Sequence, residues 1–156
     1  YGKSTGNFNE QAMYKDACAV YSHLKKSFKE EHIVVYGFSL GATFATRIAA
    51  LNKPKELVLE APFYNLRKAI FYISKMAPTF LLKYQFRTNN DISKVVAPIT
   101  IFHGNNDLTT SHTDSKKLLI LNSSVHNQFV EIDGGTHHNI REFAIYQDKL
   151  KEILGR

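Results

Sequence analysis

The fold turns on one stretch, Ile33-Val34-Val35-Tyr36-Gly37-Phe38-Ser39-Leu40-Gly41-Ala42. The run His32–Tyr36 is nearly continuous in apolar character and reads as a buried strand. Leu40–Leu51 is small and apolar, as a helix wedged against a sheet would be. Between them Ser39 occupies a very tight strand-to-helix turn, which forces it towards positive φ. Residues two positions away must then be tiny, because strand and helix backbones almost touch. Gly37 and Gly41 supply that room, and Ala42 keeps the helix close. The turn lifts the serine Oγ clear of the sheet, beside a helix N-terminus with free N–H groups and a positive dipole end.

Outward from this stretch the chain repeats the same rhythm. Three further runs read as strands: Glu56–Glu60, Ile99–Phe102 and Gln128–Ile132. All are rich in Val, Ile, Leu and Phe, and the first two are, like His32–Tyr36, nearly continuous in apolar character, which fits a parallel sheet covered on both faces. Helix candidates alternate with them: Asn9–Lys29, Ser111–Asn122 and Asn139–Leu154. The first carries Met13, Ala17, Val20, Tyr21, Leu24 and Phe28 at spacings of three and four, one apolar face, which Cys18 joins as a small core residue. Strand–helix alternation of this kind builds βαβ units with right-handed crossovers, an α/β fold. One connection breaks the rhythm. Phe63 to Ala97 is 35 residues, where a crossover needs only about 10–12 or a little more. It reads as an insertion of one or two helices over Leu66–Tyr84, lying above one end of the sheet.

Composition bounds the function. With 156 residues, 44% of them hydrophobic and 22% charged, the chain is one globular domain rather than a disordered or collagen-like segment. The net charge of +6 is scattered, with no run of like charges that would mark a nucleic-acid tail, so no nucleic-acid partner is expected. No apolar stretch reaches the roughly 18–20 residues of a membrane span. The single Cys18 excludes an internal disulfide framework, and a cytoplasmic location is the expectation, although an upstream region would be free to carry a signal or anchor. The chain opens on Tyr1-Gly2-Lys3-Ser4 without an initiating Met, which suggests that something upstream is missing.

A Gly-x-Ser-x-Gly turn between strand and helix is the setting of a nucleophilic serine, and such a serine needs a base and an orienting acid. Two aspartates follow strand candidates. Asp107, in His103-Gly104-Asn105-Asn106-Asp107, sits where catalytic groups gather at the carboxyl ends of parallel strands, though an Asx-turn or a helix cap would also explain it. Asp133 reads as a turn residue. His137 and His138 alone among the seven histidines follow the last strand, on the turn Gly134-Gly135-Thr136. A glycine-rich turn that throws a histidine back over the sheet end is what the base requires, though a histidine pair at a helix start would also serve as capping residues. A metal site is not expected, because no third ligand stands at the right spacing. His103 reads as a structural histidine; His23, His32, His112 and His126 read as surface or helix residues.

Together Gly37–Ala42, Leu59-Glu60-Ala61-Pro62-Phe63, His103–Asp107 and Gly135-Thr136-His137 resemble the serine hydrolases of the α/β-hydrolase fold, closest in flavour to the Bem46-like group. Tyr1-Gly2-Lys3-Ser4-Thr5-Gly6 resembles that group's turn after its fourth strand. The resemblance implies Ser39 as nucleophile, Asp107 as acid and His137 as base, with the backbone N–H of Leu40 in the oxyanion hole and the segment 63–97 as a short lid. Counting from Gly134 favours His137, while the following Asn139 favours His138. The resemblance further implies that residues 1–156 are the C-terminal part of the domain. The strands that would precede Tyr1 carry half of the oxyanion hole, so the chain alone is expected to be marginal in stability and activity.

The implied reaction is hydrolysis of a small-molecule carboxylic ester or thioester through an acyl-enzyme, without a cofactor. Rivals on the same fold are a serine peptidase or an acyltransferase, and from another class a non-catalytic or incomplete hydrolase-like module.

Overall fold

A computed structural model describes residues 5–6 and 9–155. Tyr1–Ser4, the larger part of the opening turn motif, lie outside the described residues. In chain order the elements are α1 (Glu10–Leu24), β1 (Val34–Phe38), α2 (Leu40–Leu51), β2 (Glu56–Glu60), α3 (Leu66–Ile73), α4 (Thr88–Ile92), β3 (Ile99–Gly104), α5 (His112–Ile120), β4 (Gln128–Ile132) and α6 (Ala144–Gly155). The four strands form one parallel sheet in the order β1-β2-β3-β4. All their carboxyl ends therefore share one rim, and the loops that leave it can converge.

Alternation along the strands sends side chains to two faces. On one face Val35, Leu57, Leu59, Ile99 and Ile101 pack under α2, α4 and α5. α2 lies closest, which its Ala42, Ala45 and Ala49 permit. On the other face Val58, Phe102 and Ile132 pack under Tyr146 and Ile153 of α6. That face also buries Glu60, whose carboxylate accepts from Arg141 Nε at 2.9 Å, Tyr146 Oη at 3.0 Å and the Tyr36 hydroxyl. A buried charge is tolerable when it is paired and hydrogen-bonded in this way.

Several boundaries differ from the sequence reading. The first strand is displaced by two residues, to Val34–Phe38, because pairing with β2 runs from Val34↔Glu56 to Phe38↔Glu60. Gly37, which lies beyond the end of the strand as read from the sequence, is inside it. Residues Glu30–His32 form a 3₁₀ turn instead. β3 continues two residues further, through His103 and Gly104. α1 starts after Asn9, whose side chain accepts from Ala12 N, and stops at Leu24 rather than Lys29. It packs on α2, and its buried residues are Tyr14 and Tyr21, while Val20 and Phe28 are 64% and 58% exposed. Cys18 is half-buried, not a core residue. The last helix is divided: a 3₁₀ turn at Ile140–Glu142 precedes α6, with Phe143 extended between them.

The long insertion splits into two kinds of structure. α3 is capped by Asn65, which accepts from Lys68 N, and a 3₁₀ turn follows at Thr79–Leu81. α4, by contrast, belongs to the core: Ile92 is fully buried, and Asp91 pairs with Arg47 of α2 at 2.7 Å. Between them Phe86 is buried with Tyr14 and Phe63, in a left-handed conformation (φ 36°). The Glu10 carboxylate accepts from Gln85 N and Phe86 N and so ties this bend to α1.

Candidate active site

The rim of the sheet gathers three loops. At the first, Ser39 takes φ 50° and ψ −115°, a strained conformation for a residue with a Cβ. Its N–H donates to Glu60 O of the neighbouring strand at 2.9 Å, and its side chain makes no helix-capping bond. The hydroxyl is thereby left for another partner. The close strand–helix approach is carried by Gly37, where a Cβ would stand 2.6 Å from Gly41 O and 2.7 Å from Ala42 Cα. Gly41 differs from the expectation: a Cβ there would meet nothing within 4 Å. Leu40 opens α2, so its N–H is among the first four of the helix, which lack an intrahelical acceptor.

The second loop follows β3 and delivers Asp107, the third follows β4 and delivers His137. Their approach rests on Gly104 and Gly135, since a Cβ on Gly104 would lie 2.8 Å from Gly135 Cα and closer still to its carbonyl. Asn106 N donates to Gly135 O at 2.9 Å, and Asn105 bridges to Gly134 N and to Asp133, which is the turn residue expected of it. Backbone contact thus seats one loop on the other.

The side chains then meet. His137 Nδ1 is 2.7 Å from Asp107 Oδ2, and its Nε2 is 3.1 Å from Ser39 Oγ. His137 is buried, whereas His138 is exposed and contacts the rings of His137 and Phe38 edge-on. Of the two histidines left open by the sequence, His137 is the one brought to Ser39. The Phe38 ring flanks it, with centroids 5.1 Å apart.

Asp107 is 2% exposed and its carboxylate is heavily coordinated. Oδ1 accepts from Thr109 N and Thr110 N at 2.7 and 2.8 Å, and Oδ2 from Thr110 Oγ1 at 2.9 Å. Burial alone would raise its pKa. Hydrogen bonds from His103, His137 and the two threonine N–H groups outweigh burial and hold the carboxyl well below the ordinary aspartate range. It is therefore held as an anion.

Three contributors were not legible as such. Thr110 lies at the centre: its hydroxyl touches Asp107, Ala61 O at 3.2 Å and His137 Nδ1 at 3.3 Å. Tyr72 of α3 donates to Asp107 O at 3.0 Å and so ties the insertion to the acid loop. His103 is structural as expected, being fully buried, but it also stands 3.2 Å from Asp107 Oδ2. The only sequence signal for that contact is the His-Gly-x-x-Asp spacing. Of the others, His112 is half-buried against Glu131 and His23, His32 and His126 are exposed. Among the described residues no group of three or more His, Cys, Asp or Glu is arranged to hold a metal, and no helix is long and apolar enough to cross a membrane.

Residues 4–150 match the family described as platelet-activating factor acetylhydrolase, isoform II. Among curated proteins, α/β hydrolase domain-containing protein 17B of Xenopus laevis is 25% identical over 159 residues, covering 100% of this chain and 54% of that protein. Protein 17C of Mus musculus is 25% identical over 157 residues, 99% of this chain and 48% of that protein. The chain spans about half the length of the curated relatives it matches. Among solved structures, an esterase of Pyrococcus furiosus superposes with a TM-score of 0.78 at 21% identity, covering 99% of this chain and 66% of that one. A monoacylglycerol lipase of Paleococcus ferrophilus gives 0.65 at 14% identity, over 91% of this chain and 75% of that one. The α/β-hydrolase fold and the Bem46-like kinship read from the sequence both stand.

Proposed function

We propose that this chain, which belongs to the platelet-activating factor acetylhydrolase, isoform II, family, is the catalytic part of a serine hydrolase that cleaves a small-molecule carboxylic ester or thioester. The observation that carries the reading is the hydrogen-bonded series Ser39 Oγ, His137 Nε2, His137 Nδ1, Asp107 Oδ2, with links of 3.1 and 2.7 Å. A family described as an acetylhydrolase is consistent with an acyl ester as substrate.

The chemistry follows from the geometry. Ser39 Oγ attacks the acyl carbon while its proton passes to His137 Nε2. Asp107 keeps the other ring proton on Nδ1 and stabilises the imidazolium that forms. The Leu40 N–H, at the positive end of α2, faces the developing oxyanion. The tetrahedral adduct expels the alcohol or thiol, which takes the proton from His137, and leaves an acyl-Ser39 ester. Water then repeats the sequence, with His137 removing its proton, and releases the acid and free Ser39. The groups are a nucleophile, a base and an orienting acid, so no cofactor is required. A cytoplasmic setting belongs to the same proposal.

The test is turnover of p-nitrophenyl acetate by the protein and by Ser39→Ala. The expected loss is about 10⁴-fold or more with the fold retained, as for other nucleophiles acting in such a series. A fluorophosphonate probe should label the wild type on Ser39 and leave the variant unlabelled. Turnover of Ser39→Ala equal to wild type overturns the assignment.

A further inference from the structure

We propose that His103 is a positioning residue of the reaction: it donates its Nε2–H to the Oδ2 oxygen of Asp107 that holds His137, and so sets how strongly the acid binds the base. The proposal rests on the hydrolase reading of Ser39, His137 and Asp107.

His103 leaves β3 four residues before Asp107 and is fully buried. Its Nε2 lies 3.2 Å from Asp107 Oδ2 and 3.2 Å from Thr110 O. A carboxylate oxygen and a carbonyl oxygen can only accept, so the ring nitrogen between them carries the hydrogen. The third neighbour, Thr110 Oγ1 at 3.4 Å, does not alter this, because its one proton goes to a shorter contact, Asp107 Oδ2 at 2.9 Å. The ring cannot turn away: Nδ1 is 2.8 Å from Ser115 Oγ of α5, and the His112 ring stands edge-on at 5.7 Å, with Glu131 beyond it. These are the titratable groups that surround the imidazole, together with Asp107 itself and His137.

Asp107 Oδ2 is consequently shared by His137 Nδ1, Thr110 Oγ1 and His103 Nε2. Each donor withdraws part of the oxygen's charge from the others. With His103 in place, the pull of Asp107 on the His137 imidazolium is moderated, and the carboxylate is held in one rotamer. Remove the donor, and Asp107 binds a protonated His137 more tightly. The base then loses its proton only at higher pH.

The experiment compares wild type, His103→Leu and His103→Gln in kcat/KM across pH. Glutamine retains an N–H donor near the position of Nε2; leucine fills the space without one. His103→Leu is expected to lose about tenfold or more, the value of a hydrogen bond to a charged group, and to move the acidic limb of the profile to higher pH. His103→Gln is expected to restore most of the limb position. A folded leucine variant with an unmoved limb overturns the proposal, and so does a glutamine variant indistinguishable from leucine. A second measurement does not need turnover. Ring ¹⁵N spectra of histidine-labelled Ser39→Ala protein should show His103 protonated at Nε2, with a proton resonance that shifts in a Ser39→Ala, Asp107→Asn background. An unprotonated Nε2, or a resonance indifferent to Asp107→Asn, refutes the contact whether or not Ser39 is the nucleophile. Retained turnover in Ser39→Ala, by contrast, removes the hydrolase reading alone.

Discussion

The rim of the sheet and the insertion that sits against it are built on opposite terms. At the rim, Gly37, Gly104 and Gly135 stand where backbones touch, and Asp107 and His137 are buried and saturated with hydrogen bonds. In the insertion, Met76 is 94% and Phe80 77% exposed, and α3 buries Ala69 against Phe63 and Phe86 while Tyr72 donates to Asp107 O and Lys68 lies 3.3 Å from Asp114. The rim needs rigidity, because a nucleophile and base misplaced by about 1 Å lose much of their rate. The insertion needs apolar surface left free, which costs stability unless something apolar is met there. The difference separates residues whose substitution alters the reaction or the fold from residues whose substitution alters what is bound.

The sharpest way to break the comparison is at the base. His137→Ala should reduce ester turnover by about 10³-fold or more, whereas His138→Ala, exposed and bonded to neither Ser39 nor Asp107, should cost under about threefold. Steady-state kinetics on both variants decides, and the reverse ranking would move the base.

Next in size is the backbone contact. Gly104→Ala drives a Cβ into Gly135 and should destabilise by roughly 3 kcal/mol or more in urea unfolding. Gly41→Ala meets nothing and lies inside α2, where alanine is favoured over glycine by about 0.8–1 kcal/mol, so its midpoint should hold or rise. A Gly41→Ala protein as unstable as Gly104→Ala would show that the steric account of the turn is wrong.

The acid offers a smaller effect read against pH. The Asp107 pKa is depressed in the folded state, so its stabilising contribution is complete above the unfolded aspartate value of about 3.9 and fades as pH falls below it towards the lower folded value. Asp107→Asn should flatten the stability curve between about pH 4 and pH 2. An unchanged slope would mean that the carboxylate is not held as an anion by its partners.

The smallest effect on stability belongs to the insertion. Met76→Ala and Phe80→Ala should change unfolding free energy by no more than about 0.5 kcal/mol, as exposed positions do. The same variants are predicted to weaken the preference for octanoyl over acetyl esters, since Met76 and Phe80 leave apolar surface in solvent that an acyl chain can cover. An unmoved chain-length preference would detach the insertion from substrate binding.

Legibility in the sequence followed the same division. β2, β4 and α2 were readable to the residue, since short apolar runs between turn residues and a small-residue helix leave a strong pattern. Ser39 and Asp107 were readable because each follows a strand end in the order that the fold requires, and the base was readable only as the pair His137 and His138. Thr110 and Tyr72 were not, because a hydroxyl that matters through a contact 35 residues away in sequence, as Tyr72 does with Asp107, leaves no local trace. The one-faced stripe of α1 misled for a related reason. Periodicity marks an apolar face but not its partner, and α1 lies on α2, burying Tyr14 and Tyr21 and leaving Val20 in solvent. Gly41 misled in the other direction, as a residue with the right identity and none of the expected crowding.

The order of the strands has a mechanical consequence. Ser39 leaves β1, Asp107 leaves β3 and His137 leaves β4, so the base must reach back across the ends of β3 and β2 to meet the nucleophile. Asp107 and His137 ride on adjacent strands locked by the Gly104–Gly135 contact and travel as one body. Shear of the sheet therefore bears directly on the Ser39–His137 hydrogen bond, which links the loop after β1 to the loop after β4. The acid–base link acts as a fixed jaw, and the distance to Ser39 becomes the gauge on which motion of the whole sheet is read.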